Sequence, residues 1–363
     1  MNRATLARQM LLERERLDVV AAVSRVGGLQ AQEPASPYLA LWARVADLDA
    51  AQLTAALAER ALIKATLHRS TLHIASATDY LASITALTTV LRTKWMNEAR
   101  GLPVNRTLPE LAEQSLAFAA VPRANIEMRE HAGTLGEPVP ADELWRRIRR
   151  YALFVGVPGE HPWSFGRRPV HVAARSWLEA EAADEDASLE HVVRSHLRAF
   201  GPARLADVAQ WSGLSVARLR VGERRLEDLR RYTDEDGREL LDLPDATLPD
   251  PETPAPPRLL PMWDETLLAY ADRSRILPEA YRQRVIVKGG DVLPTVLVDG
   301  MVAGSWWVEA DPDGRPRVIL ETFADIEASD RAALEVEGAG LVDFIAAREP
   351  GVYSRYRHTA RRP

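Results

Sequence analysis

The chain of 363 residues contains no cysteine. This absence excludes disulfide bonds, zinc sites with thiolate ligands and cysteine nucleophiles. No apolar run reaches the ~18 residues that a membrane-spanning helix needs, and the first 20 residues hold no uninterrupted apolar core. We therefore expect neither a membrane span nor a signal peptide, and we expect the protein in the cytoplasm.

Motifs of several common enzyme classes are absent as well. The phosphate-binding patterns GxxxxGKS, GxxxxGKT and GxGxxG do not occur, and neither do HExxH and GxSxG. Of the eight histidines, His191 and His196 have the wrong spacing to share a helix face with an obvious third ligand. We expect no metal site and no cofactor. The missing motifs argue against a nucleotide-dependent enzyme and against a conventional hydrolase.

Lysine is rare, because only three of the 46 basic residues are lysines and the other 43 are arginines. Arginines cluster at 146–150, at 167–168 and between 218 and 231. A guanidinium group contacts phosphate in a planar, bidentate way. The net charge of −6 argues mildly against a nucleic-acid partner. Charge alone leaves open whether these clusters bind phosphate or only cover a solvated surface.

The first 110 residues show the element order of a winged helix. Helices are predicted over 4–14 and 16–27, and a short turn over 29–34 follows Gly27 and Gly28. Another helix is predicted to start near Ser36 and Pro37, and a further one around residues 53–57. Two β-rich runs, 62–67 and 71–74, then flank the polar turn 68–70.

The third such unit has the clearest pattern. A helix over 189–199 is followed by a short helix over 203–211, a turn at Ser212 and Gly213, and a helix that Ser215 caps. Asp236 and Gly237 then mark a hairpin. Two helices joined by a tight turn and followed by a wing form the DNA-binding helix-turn-helix pattern. A helix pair that serves only as scaffold is the alternative.

The remaining segments complete the predicted organisation. Helices over 123–133 and 141–150 suggest a weaker middle unit, and seven prolines between residues 244 and 261 indicate a stiff linker. Strand-like runs, including 285–287 and 303–308, precede a final helix over about 328–347. We therefore predict a mostly helical α+β protein with tandem winged helices and a small C-terminal antiparallel β-barrel-like domain. Its predicted segments are 1–110, 111–187, 188–245, the linker 246–262 and the β domain 263–363.

Several motifs, in this order, resemble those of the AlkZ-like (or YcaQ-like) winged-helix DNA glycosylases. They are residues 2–9, Gly28-Leu29-Gln30-Ala31-Gln32-Glu33-Pro34, residues 37–44, Arg69-Ser70-Thr71-Leu72-His73, Gly201-Pro202 with Trp211, residues 259–265, residues 272–275 and residues 294–300. The resemblance covers nearly the whole chain. It implies tandem winged helices with a concave DNA-binding surface, and a β-barrel-like element.

The resemblance also implies that Gln30 and Gln32 are the catalytic residues, in the two-glutamine version of the family motif. That version resembles the members linked to self-resistance against DNA-crosslinking natural products. Without the resemblance, these glutamines would be interpreted as a hydrogen-bonding pair at a turn. The implied partner is double-stranded DNA with alkylated purines, bound by a monomeric, nucleoid-associated enzyme.

Glutamine fits such chemistry because an N7- or N3-alkylated purine is already cationic and needs little acid assistance to leave. Neither amide titrates in the useful range, so neither acts as a general base. A positioned amide can align a water and stabilise positive charge on the sugar. We expect Gln32 to align the water and Gln30 to support the water or the sugar. Lesion size, from a methyl group to an interstrand crosslink, is left open.

Other residues are assigned more general roles. DNA contacts are expected on the first wing and on the third-unit helix, namely at His68, Arg69, Ser70, Arg218, Arg220 and Arg224. A lesion pocket bordered by Tyr38 and Trp42 is a further hypothesis, although a core role suits Trp42 better. The acidic and basic residues at 264–265 and 272–273 are interpreted as a structural charge cluster.

Two other classes of protein remain as alternatives. A non-catalytic winged-helix regulator is the first, although most such regulators dimerise onto two half-sites and this chain shows no obvious dimerisation helix. A protein-interaction scaffold, favoured only by the negative net charge, is the second. Strand scission at an alkylated purine would identify the enzyme, and salt-insensitive or absent DNA binding would favour the scaffold.

Overall fold

The computed structural model describes residues 1–99, 103–287 and 289–356. One of the three lysines, Lys288, lies outside them. Within the described residues, no helix combines the length and the apolar character needed to cross a membrane.

The first part of the chain is a helical unit with a β hairpin. Its elements are α1 (Asn2–Arg8), α2 (Val19–Arg25), β1 (Leu29–Gln30), α3 (Ser36–Trp42), α4 (Ala50–Ala58), β2 (Leu62–Thr66), β3 (Leu72–Ser76) and α5 (Ala77–Ala99). The predicted hairpin is confirmed, with the turn His68–Ser70 folded as a 3₁₀ helix. The predicted helix 4–14 is too long, because α1 ends at Arg8 and Met10 takes a φ of 55° that the helix cannot contain.

The middle of the chain continues with helices and short strands. They are α6 (Leu108–Phe118), β4 (Arg123–Ala124), α7 (Asn125–Thr134), α8 (Ala141–Tyr151), β5 (Phe154–Val157), β6 (Val170–Ala173) and α9 (Ala174–Leu178). The two helices predicted over 123–133 and 141–150 match α7 and α8.

The segment around residue 212 has the predicted order of helix, turn, helix and hairpin. It comprises α10 (Glu185–Phe200), α11 (Leu205–Ser212), α12 (Val216–Arg224), β7 (Arg230–Thr233) and β8 (Glu239–Asp242). Gly213 ends α11 with a φ of 84°, and the Ser215 side chain accepts a hydrogen bond from the backbone N–H of Arg218 at the start of α12. The cap and the glycine follow directly from the sequence.

The last part of the chain is mainly a β meander. It contains β9 (Arg258–Leu260), α13 (Arg282–Val285), β10 (Thr295–Val298), β11 (Met301–Ala310), β12 (Pro316–Thr322) and α14 (Ala328–Ala346). The strand predicted at 285–287 is wrong, because Val285 ends α13 and only Ile286 forms an isolated bridge. The predicted linker 246–262 also extends too far, because the apolar segment at its end is the buried strand β9.

The sheets differ from the predicted organisation in two ways. Among the described residues, the first sheet runs β1-β3-β2-β5-β6-β4, so the segments 1–110 and 111–187 share one sheet through the β2–β5 pairing. The C-terminal sheet runs β12-β11-β10-β9, with β12 and β9 at opposite edges. It is therefore an open antiparallel sheet, and no closed barrel forms within the described part of the chain.

Two apolar cores lie on opposite faces of the first sheet. Directly opposed residues in an antiparallel pair place their side chains on the same face. Leu29, Ile74 and Lys64 are opposed in this way and share one face, whereas Gln30, His73 and Ala65 share the other. Leu29 and Ile74 pack into the core that contains Trp163, and Ala65 packs into the core that contains Trp211. The face of Gln30 is thus the face covered by α10 and α11.

Candidate active site

The segment Gln30-Ala31-Gln32 begins on an edge strand, where the sequence predicted a turn. Gly27 and Gly28 follow α2 with φ values of 80° and 91°, a conformation that glycine adopts without strain. The chain then pairs with β3, with Gln30 opposite His73, and the Ala31 N–H donates to the Leu72 carbonyl at 2.7 Å. The prediction is wrong at Leu29 and Gln30 because burial of Leu29 and pairing with β3 extend the backbone there.

The two glutamines differ in exposure. Gln30 is only 6% exposed, whereas Gln32 is exposed at the surface. The Oε1 atom of Gln32 accepts a hydrogen bond from the Leu72 backbone N–H at 3.1 Å, and Oε1 of Gln30 accepts one from Arg69 at 3.0 Å. Both partners are donors only, so the oxygen of each amide must face its partner. The orientation of both amides is therefore fixed by the protein.

Arg69 connects three parts of the chain. Its guanidinium donates to the Trp211 carbonyl at 2.8 Å, to Oε1 of Gln30 and to Oε1 of Glu265 at 2.6 Å. The Arg69 backbone has a φ of 53°, and Ser70 follows at 64°, which is unusual for residues other than glycine. This turn directs the Arg69 side chain inward, where it is 17% exposed. The Arg69 guanidinium, which is predicted to contact DNA, thus already donates most of its hydrogen bonds to partners inside the protein.

Glu265 is the buried anion of this cluster. It follows Asp264, which caps the short 3₁₀ helix Glu265–Leu267, and it is 4% exposed. Its Oε1 atom accepts hydrogen bonds from Arg69 and from Nε2 of His73 at 3.0 Å. Burial raises the pKa of Glu265, but the Arg69 charge and the His73 hydrogen bond outweigh it and bring the pKa to about 2. Glu265 is therefore ionised at any working pH.

The two histidines of the hairpin point into the protein. His68 is 5% exposed and stacks on Trp211 at 3.7 Å between ring centroids, and His73 is fully buried. Burial, followed by the neighbouring His73, holds the pKa of His68 well below its usual value. His68 therefore lies inside the protein and not on the surface where its DNA contact is predicted, because the 3₁₀ turn packs this ring against α11. Ser70, at the same turn, is half-exposed.

A small cavity adjoins Gln30 on the side of Glu265. Arg44, Met262, Trp263 and Asp264 also line it. Arg44 forms a bidentate buried ion pair with Asp264, with N–O distances of 2.9 and 2.8 Å. The cavity leaves room for about one water molecule beside Gln30. Within the described part of the chain, no group of three or more His, Asp or Glu side chains is arranged to hold a metal ion.

Comparison with known proteins decides the family. The family model described as DNA glycosylase AlkZ-like matches residues 23–344. The chain belongs to the AlkZ-like DNA glycosylases. No curated protein sequence matches it significantly. Among solved structures, the Streptomyces sahachiroi DNA glycosylase AlkZ matches with a TM-score of 0.75 and 22% sequence identity, over 97% of this chain and 96% of that chain. The fold of the present glycosylase is similar to that structure along nearly its full length.

Arginines on the third helical unit of this AlkZ-like glycosylase are mostly paired with acids. Arg218 lies 2.6 Å from Glu185, and Arg220 lies 3.9 Å from Glu223. Arg224 is exposed in the last turn of α12. Of the three residues predicted to contact DNA here, Arg220 and Arg224 are exposed, while Arg218 is half-buried against α5, where it donates to the Ala86 carbonyl.

The residues predicted to border a lesion pocket are not part of the cavity beside Gln30. Tyr38 is fully buried on the opposite face of the sheet, where its hydroxyl contacts Ser164 at 2.5 Å and its ring packs on Trp163. Trp42 is half-buried between Arg14 and Phe344. Both are core residues, as expected for Trp42.

Two residues behind Arg69 in this AlkZ-like glycosylase were not predicted as part of the site from the sequence. Glu265 was predicted only as part of a charge cluster, and His73 only as a residue of the wing. Both lie in motifs of the family resemblance, but nothing in their spacing indicates that they meet. Residues 73 and 265 are 192 positions apart in the chain. Only the packing of the last sheet against the first brings them together.

Proposed function

We propose that this AlkZ-like glycosylase hydrolyses the N-glycosidic bond of purines made cationic by alkylation at N7 or N3. The observation that supports it is the side-chain partner of Gln30, which among the described residues is the cation Arg69 and not a proton-donating acid. Glu265, the ion-pair partner of Arg69, is ionised because its pKa is low. Neither group protonates a leaving base. A neutral purine needs such protonation, whereas a cationic purine does not.

The proposed roles of the glutamines follow from their exposure. Gln32 is exposed and next to Leu72, which is itself 38% exposed, and this exposure supports a role for Gln32 in meeting DNA and aligning the attacking water. Gln30 is buried and held by Arg69, so it is suited to supporting that water or the sugar from below. Positioning and preorganised dipoles of this kind contribute several kcal/mol to catalysis.

We infer that the enzyme is monofunctional and leaves an abasic site. A lyase step needs an amine nucleophile. Lys64 is the lysine nearest the motif along the chain, and burial, partly offset by Glu33, lowers its pKa to about 8. Its side chain belongs to the opposite face of the sheet from Gln30, and its ammonium lies over the Phe165 ring at 4.5 Å. That position is unsuited to attack on a sugar held at Gln30.

The wider assignment is also a proposal. We propose winged-helix units over 1–110, 111–187 and 188–245, double-stranded DNA as the partner, a monomeric state and a cytoplasmic location at the nucleoid. The alternating helices and hairpins of the described chain support these units. Family membership argues against the non-catalytic regulator and against the scaffold.

Single-turnover excision from a duplex with one N7-methylguanine tests the proposal. We expect alkali-labile cleavage at the lesion by the wild type and a ~100-fold or greater loss in Gln30→Ala or Gln32→Ala, the scale of removing a preorganised catalytic dipole. Gln52→Ala, an exposed glutamine on α4, is the matched control and should retain the wild-type rate. A duplex with a cationic purine crosslink follows as a second substrate. No cleavage of either by the wild type, with DNA binding intact, would contradict the proposal.

A further inference from the structure

Glu265 joins the two strands that carry the candidate site. It binds His73 on β3 directly and reaches Gln30 on β1 through Arg69. All four side chains lie on the covered face of the sheet, and the exposure of the Glu265, His73 and Arg69 side chains is 4%, 0% and 17%. An anion buried this deeply is costly unless it has a specific partner set. The partners of Glu265 are His73 and Arg69, and Arg69 in turn binds the amide of Gln30.

We propose that Glu265 is a positioning residue for Gln30, acting through Arg69, and this inference rests on the proposed function. Arg69 offers a rigid fork of donors, one of which meets the Gln30 oxygen while another meets the Trp211 carbonyl. Glu265 fixes the remaining freedom of the guanidinium with a 2.6 Å ion pair. With the fork held at two other points, the Gln30 amide has one preferred orientation.

The unpaired oxygen of Glu265 argues for more than a stabilising role. Oε2 of Glu265 and Nε of Arg44 are buried and have no hydrogen-bond partner among the described residues. Both residues line the cavity that also contains Gln30. Buried carboxylate oxygens that serve packing alone are normally paired. The unpaired oxygen therefore belongs to a residue that lines the same small cavity as Gln30.

A double-mutant cycle separates positioning from general stabilisation. Single-turnover excision of N7-methylguanine is measured for the wild type, Glu265→Gln, Gln30→Ala and the double variant, together with the dissociation constant for DNA. If Glu265 acts through Gln30, Glu265→Gln slows excision by ~10-fold or more in the wild type. The same change costs less than about twofold when Gln30 is already alanine, because coupled residues are not additive. DNA affinity should change little.

Two results would overturn the inference and leave the proposed function standing. One is a wild-type rate in Glu265→Gln, and the other is an equal loss of rate in both backgrounds. An inactive wild type would instead reject the proposed function. Glu337→Gln is the matched control, because Glu337 is 9% exposed and pairs with Arg14 at 2.6 Å far from Gln30 in the chain. It should excise at the wild-type rate.

A second variant keeps the test decisive if Glu265→Gln folds poorly. Arg69→Lys keeps a cation for Glu265, but a single ammonium does not reproduce the fork that holds Gln30 and the Trp211 carbonyl together. Circular dichroism and thermal melting first show that the variant is folded. We expect a ~10-fold or greater loss of rate with little change in DNA affinity. A folded Arg69→Lys protein with the wild-type rate would overturn the inference.

Discussion

The Arg69 guanidinium donates a 3.0 Å hydrogen bond to the side-chain oxygen of Gln30, although 39 residues separate the two in the chain. The same guanidinium pairs with Glu265, 196 residues further on. A catalytic amide carries no charge and has two exchangeable ends, so its usefulness depends on what holds it. Here Gln30 is held by a buried ion pair between the turn His68–Ser70 and the short 3₁₀ helix Glu265–Leu267.

The Glu265 ion pair should make stability depend on acid pH. Burial raises the pKa of Glu265, but the Arg69 charge and the His73 hydrogen bond outweigh this effect and bring the pKa from 4.5 to about 2. Because the folded pKa is the lower one, the contribution is complete above pH 4.5 and is lost as pH falls toward 2. At 1.36 kcal/mol per unit it amounts to about 3 kcal/mol.

Urea unfolding of the wild type and Glu265→Gln at several pH values measures this contribution. We expect the difference in free energy of unfolding between the two proteins to shrink as the pH falls from 5 toward 2. Glu59→Gln changes the exposed residue that follows α4 and serves as the control. Its free energy of unfolding should match that of the wild type at every pH. A difference independent of pH would contradict the assigned pKa.

The Arg44–Asp264 pair should be the costlier of two ion pairs to break. Its side chains are 2% and 1% exposed, so Asp264→Ala leaves a buried guanidinium without its anion and should destabilise the protein by about 3–5 kcal/mol. Arg16 and Asp47 form a pair of similar length at 2.7 Å, but with 81% and 70% exposure. Arg16→Ala, which removes the other partner of this exposed pair, should cost less than about 1 kcal/mol. Chemical denaturation measures both, and equal losses would refute the assignment.

Exposure predicts which third-unit arginine contributes to DNA binding. Arg224→Ala should reduce the slope of log affinity against log salt by about 1, as expected when one phosphate contact is lost. Arg218→Ala should change that slope less, because Arg218 is half-buried and paired with Glu185. Fluorescence anisotropy over a range of salt concentrations gives the slopes. A larger effect at Arg218 than at Arg224 would show that this surface is not used as proposed.

Borohydride trapping tests the position of Lys64. Because the Lys64 amine lies on the face of the sheet opposite Gln30, we expect no covalent complex when borohydride is added during excision. This holds even at pH 9, where a group with a pKa of about 8 is mostly unprotonated. A trapped protein–DNA complex that disappears in Lys64→Ala would make the enzyme bifunctional.

Local features of the fold were predictable from the sequence. Gly213 ends α11, Ser215 begins α12, and Asp236-Gly237 forms the turn between β7 and β8. Each of these signals acts through its immediate neighbours in the chain. The same holds for the β2–β3 hairpin. Long-range pairing was not predictable. The sequence does not indicate the two-residue strand Leu29–Gln30 or the pairing of Lys64 with Gly156, because both depend on distant parts of the chain.

The candidate site divides in the same way. Gln30 and Gln32 were identified through the order of the family's motifs, since a Gln-Ala-Gln segment has no chemistry of its own. Arg69 and His68 were expected at the surface because they occupy a polar turn. Left-handed backbone at Arg69 and Ser70 turns them inward, and non-glycine residues at positive φ are not predicted by pattern. Glu265 joined the site only through tertiary packing.

The proposed function is tested most directly by asking whether excision requires a charged base. Wild-type enzyme is given matched duplexes that contain either N7-methylguanine or its neutral isostere 7-methyl-7-deazaguanine, next to unmodified adenine. Glu265 is ionised, and the glutamine amides are not acids. We therefore expect the wild type to excise N7-methylguanine alone, and we expect Gln30→Ala and Gln32→Ala to lose this activity. Rapid excision of unmodified adenine or of the neutral isostere would contradict the proposed requirement for a cationic base.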